Sequence, residues 1–487
     1  MKNRWPAASS RTSVGGPVIA LVGACLLLAG CGSMVGHAKI VAAAGDSASS
    51  VPGPEGSAVG AAGSPGSGQG ASITDLNPAG SETVGQAGSP SSPTAASSVV
   101  SGNNAGVSSS APGGGGSGAS ADHSPIVIGS VGNYSGIVGG SEAPGVVALE
   151  AWTSWVNAHG GVNGHPIKLY VRDDQTDPAQ NLADTQALVE QQHIVAEVSA
   201  WASLTQHASA SYLSQHGIPV IGGDGTGQGS WGQLSNFFPE GDIMDSLIEN
   251  APAAGAKVLF PQGKKKLAIL ACQEAQVCTE GAAADSKYAP SLGWDIVYNQ
   301  SASFAAPNYT AQCLQIHNAQ ADALILLMPP SASLNIAQSC DQQGYDPYYL
   351  LNYGTVEGNF NTIPALRNTI VPSAAFPFTG GPVTPPVAEY DQAMRQYEPN
   401  QILDPATSAG WAAAMMFQAA VERITGPVTS ATLMSAMGGF SGNTFGGLTA
   451  PLTFTKPPVN PPRCWFLMMI QNGRWVAPAG DTPQCQV

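Results

Sequence analysis

A strand, a helix and a second strand follow one another within residues 126–174, and this unit constrains the fold more than any other stretch. Residues 126–131 are apolar, rich in β-branched side chains and bounded by glycine, which predicts a buried strand. Apolar residues at three- and four-residue spacings predict a helix over residues 144–158, ended by Gly160-Gly161. Residues 167–171 predict the next strand. This succession predicts a parallel α/β sheet.

The N-terminal residues have the pattern of an export signal. An apolar run over residues 18–29 follows Lys2, Arg4 and Arg11. It is shorter than the about 20 residues that span a bilayer, and it therefore predicts a signal peptide. Leu28-Ala29-Gly30-Cys31 resembles a bacterial lipobox. We expect residues 1–31 to be a lipoprotein signal peptide, Cys31 to carry lipid, and the protein to be extracytoplasmic and anchored to the cell membrane. An ordinary cleaved signal followed by a chance cysteine is the alternative.

Residues 32–124 consist largely of Gly, Ser, Ala and Pro and contain no Trp, Phe or Tyr. Such a composition buries too little apolar area to offset the entropy of ordering the backbone, which predicts a disordered tether. A flexible chain of this length has a root-mean-square reach of about 50 Å. A glycosylated or merely low-complexity tail is the alternative, and it would also act as a tether.

Six cysteines follow the tether, and an even number in an oxidising compartment predicts disulfides. Fifteen pairings are possible, so the sequence leaves the connectivity open. Cys313 and Cys340 fall on helices either side of a predicted strand, where right-handed crossovers make a bridge plausible. Cys272 and Cys278 flank a short loop, and Cys464 and Cys485 remain as the third pair. The sequence contains no Cys-x-x-Cys spacing of the kind that predicts a zinc site.

Two turns that follow predicted strands are the expected ligand platform. Just beyond the strands over residues 194–198 and 218–221 lie four hydrogen-bond donors: Ser203, the N–H groups of Leu204 and Thr205, and the Thr226 hydroxyl. Ligands of parallel sheets gather at these strand ends, and a helix N-terminus favours a carboxylate. These donors therefore predict a carboxylate clamp. The competing interpretation is that Ser203 only caps its helix, because Gln206 has capping-box spacing.

Residues 125–136, 157–166 and 172–174 with Asp177-Pro178 resemble the leucine/isoleucine/valine-binding family, which are type I periplasmic solute-binding proteins of ABC importers. The resemblance implies two doubly wound Rossmann-like α/β lobes. Three hinge crossovers near Gly241, Phe378 and Phe454 would join them. We expect residues 125–242 and 379–454 to form lobe 1, and residues 243–378 and 455–487 to form lobe 2.

The same resemblance implies a ligand site between the lobes. Its expected residues are Tyr134, Trp201, Ala202, Ser203, Thr205, Asp224, Thr226, Cys278, Tyr353 and Glu357. The sequence departs from the family at several of these positions. Ala202 replaces a carboxylate-binding serine, Ser141 and Cys278 replace closing aromatics, and an acid expected near Thr355 is shifted to Glu357. Asp224 replaces a small residue that offers only its backbone; it could pair with an ammonium group or repel a second carboxylate. We therefore expect a small polar ligand that is carboxylate-bearing or amino-acid-like, other than a simple branched-chain amino acid.

Charge and the lack of enzyme motifs argue against nucleic-acid binding and catalysis. The net charge is −15 and 10% of residues are charged, so nucleic acid is an unexpected partner. No hydrolase, metalloprotease or Walker motif is found, and the expectation is a binding protein without cofactor or metal. The implied partners are a small-molecule ligand and ABC permease subunits. A ligand-sensing ectodomain with the same fold is the alternative, and a cell-wall hydrolase is a weaker one.

Overall fold

The computed structural model describes residues 123–486, apart from 227–229, 242, 380, 382–383, 456, 460 and 462. The predicted signal peptide, the lipidation site Cys31 and nearly all of the predicted tether lie outside the described residues. Within the described part of the chain, no helix has the length and apolar character needed to cross a membrane.

The first sheet is fully parallel and contains the strand–helix–strand unit predicted from the sequence. Its strand order is β2-β1-β3-β4-β5, and Ile126 is in register with Ile167. Its strands are β1 Ile126–Gly132, β2 Ile167–Asp173, β3 Glu197–Ala200, β4 Val220–Gly223 and β5 Phe237–Phe238. The helices between them are α1 Gly139–Ala158, α2 Pro178–Glu190 and α3 Gln206–Gln215.

Two of these helices differ at their first turns from the sequence expectation. Helix α1 begins at Gly139, five residues before the predicted start, because its first turn consists of small and polar residues without apolar periodicity. Asp177-Pro178-Ala179-Gln180 predicts an N-cap, a proline at the first helical position and a capping-box glutamine. Helix α2 begins as this pattern predicts, and the Asp177 side chain accepts hydrogen bonds from the Ala179 and Gln180 N–H groups. The Gln180 side chain does not complete a capping box, since it donates to Asp184 instead.

The second sheet repeats the winding of the first. Strands β7-β6-β8-β9-β10 are parallel, and β11 and β12 add an antiparallel edge. The strands are β6 Lys266–Cys272, β7 Asp295–Ala302, β8 Ala323–Leu327, β9 Tyr348–Leu350, β10 Thr369–Ser373, β11 Cys464–Gln471, β12 Arg474–Val476 and β13 Gln484–Cys485. The helices are α4 Met244–Leu259, α5 Gln276–Leu292, α6 Thr310–Asn318 and α7 Pro330–Asp341. Asn472-Gly473, between residues 464–471 and 474–476, predicts a type I′ hairpin. Both residues have positive φ, which confirms this prediction.

The chain passes between the two sheets more than once. After β10 it forms helices α8 Pro385–Tyr397, α9 Pro405–Val421 and α10 Ser430–Met437. Helix α9 packs on α1, β3 and β4 of the first sheet, and α8 packs on α1. Strand β11 then returns to the second sheet, beside β10. Two doubly wound α/β layers linked by crossovers confirm the predicted fold class.

Short 3₁₀ helices and three disulfides complete the described structure. The 3₁₀ helices are Phe260–Gln262, Tyr353–Thr355, Gly358–Thr362, Pro364–Leu366 and Phe445–Gly447. The described cysteines pair as Cys272–Cys278, Cys313–Cys340 and Cys464–Cys485, the connectivity that the predicted topology favours. The second bridge joins the neighbouring helices α6 and α7, and the third joins β11 to β13.

Candidate functional site

A cleft of about 350 Å³ lies where the carboxyl ends of both sheets' strands meet. Its volume falls at the lower end of the range of small-molecule sites, about 300–1,000 Å³. On the side of the first sheet it is lined by Ile137, Val138, Glu142, Thr176, Ser203, Leu204, Asp224 and Thr226. On the side of the second sheet it is lined by Cys272, Glu274, Ala275, Val277, Cys278, Gly281, Phe304, Leu327, Met328, Pro329 and Pro330. Met244, Ile248, Asn352, Gly354 and Thr355 complete it.

Two buried carboxyl groups, Glu142 and Asp224, form what we call the acidic pair. Glu142 lies in the first turn of α1 and is 0% exposed; Asp224 follows β4 and is 3% exposed. Glu142 Oε1 accepts a hydrogen bond from the Ser203 hydroxyl, whereas buried Oε2 has no partner among the described residues. Asp224 Oδ1 accepts from the Thr226 N–H at 2.7 Å.

Burial shifts the pKa of both carboxyl groups of the acidic pair. It raises the pKa of Glu142 well above its usual range, and the nearby Asp224 carboxylate raises it further, while the Ser203 hydrogen bond opposes the shift. Burial also raises the pKa of Asp224, against the opposing hydrogen bonds from Thr226. Two like charges close together disfavour each other, so the environment of the acidic pair opposes a second negative charge there.

The predicted carboxylate clamp is not free to bind a ligand. The Thr205 hydroxyl is buried, donates to Asp174 at 2.5 Å and accepts from the Asn133 amide at 2.7 Å. The Leu204 N–H donates to Asn133 Oδ1 at 3.1 Å. Asn133 and Asn181 donate to the same Asp174. These contacts hold β1, β2 and the turn after β3 together. The Thr205 N–H, which the sequence also predicts to face the ligand, donates to the Ala202 carbonyl at 3.1 Å. The described structure thus uses the predicted donors of Leu204 and Thr205 within the protein.

Ser203 has a different role from either of the two expected from the sequence. Helix α3 begins at Gln206, with Thr205 before it, and no side-chain hydrogen bond caps this N-terminus. The capping-box interpretation of Ser203 and Gln206 was therefore wrong. The Ser203 hydroxyl instead donates to Glu142, which lies 61 residues earlier in the chain. Ser203 and its partner Glu142 both line the cleft.

The three aromatic residues expected in the ligand site point inward. Trp201 is 0% exposed, and its indole N–H donates to the Ser199 hydroxyl at 2.8 Å. The half-buried Tyr134 directs its hydroxyl to Ser130 at 2.7 Å. Tyr353 is buried edge-to-face against Trp201, and its hydroxyl accepts the Gly225 N–H. None of the three is among the described residues that line the cleft, because each fills the space beneath the strand ends.

The other predicted positions divide between the cleft and its surroundings. Asp224, Thr226 and Cys278 line the cleft, and Cys278 does so as half of the disulfide with Cys272. Ala202 is buried and lies outside the lining. Glu357 lies against Gly140 rather than in the cleft. Glu142 also lines the cleft, and the sequence reasoning missed it. Its signal was an acidic residue on the same helical face as Gly145, Val146 and Leu149.

The opposite wall of the cleft is apolar. Phe304 follows β7, and Leu327, Met328, Pro329 and Pro330 end β8 and begin α7. The Cys272–Cys278 bridge and Val277 form the part next to α5. Glu274 is exposed near this wall and accepts the Phe304 N–H at 3.3 Å. None of the described lining residues is Lys, Arg or His.

Comparisons with known proteins agree with this architecture. A family profile described as periplasmic binding protein matches residues 125–474. No curated protein sequence matches the chain. A solved branched-chain amino acid ABC transporter protein from Thermus thermophilus with bound valine is 18% identical, with a TM-score of 0.63, covering 74% of this chain and 97% of that one.

Two further solved structures have similar folds and different ligands in their names. An ABC transporter solute-binding protein from R. palustris in complex with benzoate is 15% identical (TM-score 0.60; 74% of this chain and 97% of that one). A fatty acid ABC transporter substrate-binding protein from Thermomonospora curvata is 18% identical (TM-score 0.61; 73% and 91%). At these identities the likeness establishes the fold.

Proposed function

Because the chain belongs to the periplasmic binding protein family, we propose that it is an extracytoplasmic solute-binding lipoprotein that captures a small molecule for an ABC importer. Solute binding rather than catalysis is the role of this family. The observation that carries the proposal is the cleft between the carboxyl ends of two doubly wound sheets, with buried carboxyl groups at one end and an apolar wall at the other. The described lining contains no histidine to act as a general base beside a serine.

The proposal includes the division into two lobes that close on the ligand. Lobe 1 would be residues 125–242 with 379–454, and lobe 2 residues 243–378 with 455–487. The packing of α8 and α9 on α1, and the return of β11 to β10, support this division. The crossovers near Gly241, Phe378 and Phe454 would absorb the rotation, as hinges do in two-lobed receptors. Closure would bury the ligand between the acidic pair and the apolar wall.

The proposal also includes attachment to the membrane through lipid on Cys31. The lipobox pattern in residues 28–31 supports it. The Gly-, Ser-, Ala- and Pro-rich residues 32–124 would let the binding domain sample a distance of about 50 Å from the membrane. A captured ligand could then be carried to permease subunits without release of the protein from the cell surface.

The sequence predicts a polar, carboxylate-bearing or amino-acid-like ligand, and the cleft supports part of that description. Ser203, Asp224, Thr226 and Cys278 are the predicted site residues that line it. The acidic pair favours a ligand that donates hydrogen bonds or carries positive charge. The apolar wall favours a hydrocarbon or aromatic portion. We therefore propose a small amphipathic ligand with at least one donor group.

A ligand search, repeated with a variant whose cleft is blocked, tests this function. Purified protein would be incubated with a metabolite library, and bound compounds would be identified by native mass spectrometry and thermal shift. A ligand at 100 times its dissociation constant should stabilise the fold by about 2.7 kcal/mol. Val277→Trp should abolish the shift, because Val277 is half-buried and lines the cleft.

Thr279→Trp is the matched control, because Thr279 is exposed on the same helix and lies outside the lining. Its shift should equal that of the wild type. A shift that survives Val277→Trp would place binding outside the cleft and contradict the proposal. Uptake of the identified ligand by cells, lost when the gene is deleted, then separates delivery to an importer from a purely sensory role.

A further inference from the structure

The acidic pair has buried oxygen atoms without a counter-charge. Glu142 Oε2 is buried, has no hydrogen-bond partner among the described residues and belongs to a side chain that lines the cleft. Asn352 Oδ1 is a second buried acceptor of the cleft lining without a described partner. Buried acceptors left unpaired cost free energy, so native sites supply them with donors. The missing partner of this cleft is therefore a donor.

The charged and titratable groups that face Glu142 are also unable to neutralise it. They are Asp224 from the turn after β4, Asp174 from the end of β2, and Tyr134 from the turn after β1. Two are acids and the third is a phenol. The described lining adds Glu274 and no cationic side chain. A positive charge in this cleft can then come from the ligand itself.

The cleft offers no equivalent support for a carboxylate. The donors at the start of α3 are used by Asn133 and Asp174, as described above. Two lining hydroxyls donate to backbone carbonyl groups, Thr176 to Ser135 and Thr355 to Asn352. A carboxylate placed here would lose its hydration beside two carboxyl groups whose surroundings already disfavour negative charge.

We propose, on the basis of the solute-binding function above, that the ligand is an amine with an apolar body and no carboxylate group, whose ammonium is held by Glu142 and Asp224. The ammonium donates to Glu142 Oε2 and to the Asp224 carboxylate, with Asn352 Oδ1 as a further acceptor. The apolar body lies against Phe304, Leu327 and Met328. Charge-assisted hydrogen bonds fix the amine, and burial of the body supplies the remaining affinity.

A metal ion fits these observations less well than an amine. Calcium takes about six to eight oxygen ligands, and magnesium requires near-octahedral geometry with several waters. Among the described residues no group of three or more His, Cys, Asp or Glu could hold an ion. Most of the remaining lining is apolar, which suits an organic body rather than a hydrated ion.

Matched compounds that differ only in charge test the inference. Thermal shift and calorimetry would compare 2-phenylethylamine and hexylamine with 3-phenylpropionate and hexanoate, with phenylalanine and norleucine, and with calcium and magnesium ions. The amines should bind and the carboxylates should not. Glu142→Gln, which keeps the side-chain shape, should weaken amine binding by about 10- to 100-fold. Asp224→Asn should do the same, and it keeps the test open if the first variant does not fold.

Glu389→Gln is the control, because Glu389 is exposed on α8 and is not among the described lining residues. This variant should leave amine affinity unchanged. Tighter binding of a carboxylate or zwitterion would overturn the amine inference and leave solute binding intact. Stabilisation by a metal ion that disappears in Glu142→Gln would also overturn it, in favour of a cation site. An absence of any shift across this panel overturns the inference, whereas failure of the library screen as well counts against the proposed function itself.

Discussion

The Ser203 hydroxyl donates a hydrogen bond to Oε1 of Glu142, joining the end of strand β3 to the first turn of helix α1. Glu142 is fully buried, and this is the side-chain donor that the described structure provides for it. The bond therefore stabilises a carboxyl group that burial and Asp224 disfavour in its charged form. It links the stability of the first sheet to the chemistry of the cleft.

Replacing Ser203 with Ala removes this hydroxyl donor from the buried Glu142 carboxyl group. The free energy of unfolding at pH 7 should fall by about 1–3 kcal/mol, the cost of an unsatisfied buried polar group. The pKa of Glu142 should rise further, because the Ser203 hydrogen bond lowers it. Urea denaturation measures the first effect. Ser211→Ala, at an exposed position of α3, should change stability by less than about 0.5 kcal/mol. Equal stability of both variants would show that the hydrogen bond contributes nothing net.

Stability should decrease as the pH rises from 5 to 9. Burial raises the pKa of Glu197 from 4.5 to about 7 and that of Asp404 from 3.8 to about 8. Between the ordinary pKa of each group and its raised pKa in the folded protein, the folded protein binds more protons than the unfolded chain. The stability that each protonated group contributes is therefore lost as the pH rises through its folded pKa. For Glu197 the loss is on the order of 3 kcal/mol between pH 4.5 and 7.

Urea denaturation across this pH range checks the sign. Glu197→Gln should flatten the decline below pH 7, since an amide keeps the acceptor for the Thr185 hydroxyl and cannot ionise. Glu389→Gln, at an exposed carboxylate, should leave the profile unchanged. A stability that increases with pH over this range would rule out buried, proton-holding carboxyl groups.

Gly145 should not tolerate a side chain, because α1 passes directly over the Trp201 indole at this residue. A Cβ at Gly145 would overlap the indole, and Gly410 of α9 packs against the Gly145 carbonyl from the other side. Gly145→Ala should lower the free energy of unfolding by about 1–3 kcal/mol through overpacking. Gly438→Ala should instead be neutral or stabilising, since Gly438 has φ −60° and its Cβ would meet the Met434 carbonyl at an ordinary 3.4 Å. Chemical denaturation of both variants measures these changes. A Gly145→Ala variant as stable as the wild type would show that α1 and α9 can move apart without a loss of stability.

The local patterns of the sequence predicted the elements of the fold. The β-branched run at residues 126–131, the Asp177 N-cap and the Asn472-Gly473 hairpin each depend on neighbouring residues, and the structure contains all three. The parallel pairing of β1 with β2 follows from the strand–helix–strand succession that the sequence predicts. These features need no knowledge of distant contacts.

The interior of the site depends on distant contacts, and the sequence could not supply them. Ser203 has the spacing of a helix cap, but its hydroxyl is taken by Glu142. Trp201 follows a strand like a rim aromatic, but α1 covers it at Gly145. Thr205 lies at a helix N-terminus, but its hydroxyl is held by Asp174. Each error arises because a nearby pattern predicts one partner and the folded chain provides a closer one.

The Cys272–Cys278 bridge should matter more for ligand affinity than for stability. Cys272 ends β6 and Cys278 lies in the first turn of α5. Both line the cleft, together with Glu274 and Ala275 of the intervening loop and Val277 of α5. The bridge spans 6 positions of sequence, so removing it should lower the free energy of unfolding by about 2 kcal/mol. The freed loop would have to be ordered when ligand binds, which weakens affinity.

The Cys464–Cys485 bridge is the matched comparison, because it spans 21 positions and joins β11 to β13 outside the described lining. Since longer closed loops lose more entropy, its double alanine variant should lose more stability, about 3 kcal/mol, and keep the wild-type ligand affinity. The two variants should therefore rank in opposite orders by urea denaturation and by calorimetry with the identified ligand. If the Cys272→Ala/Cys278→Ala variant bound that ligand as tightly as the Cys464→Ala/Cys485→Ala variant, the loop would already be ordered by its packing on Phe304 and Leu327, and the disulfide would have no part in binding.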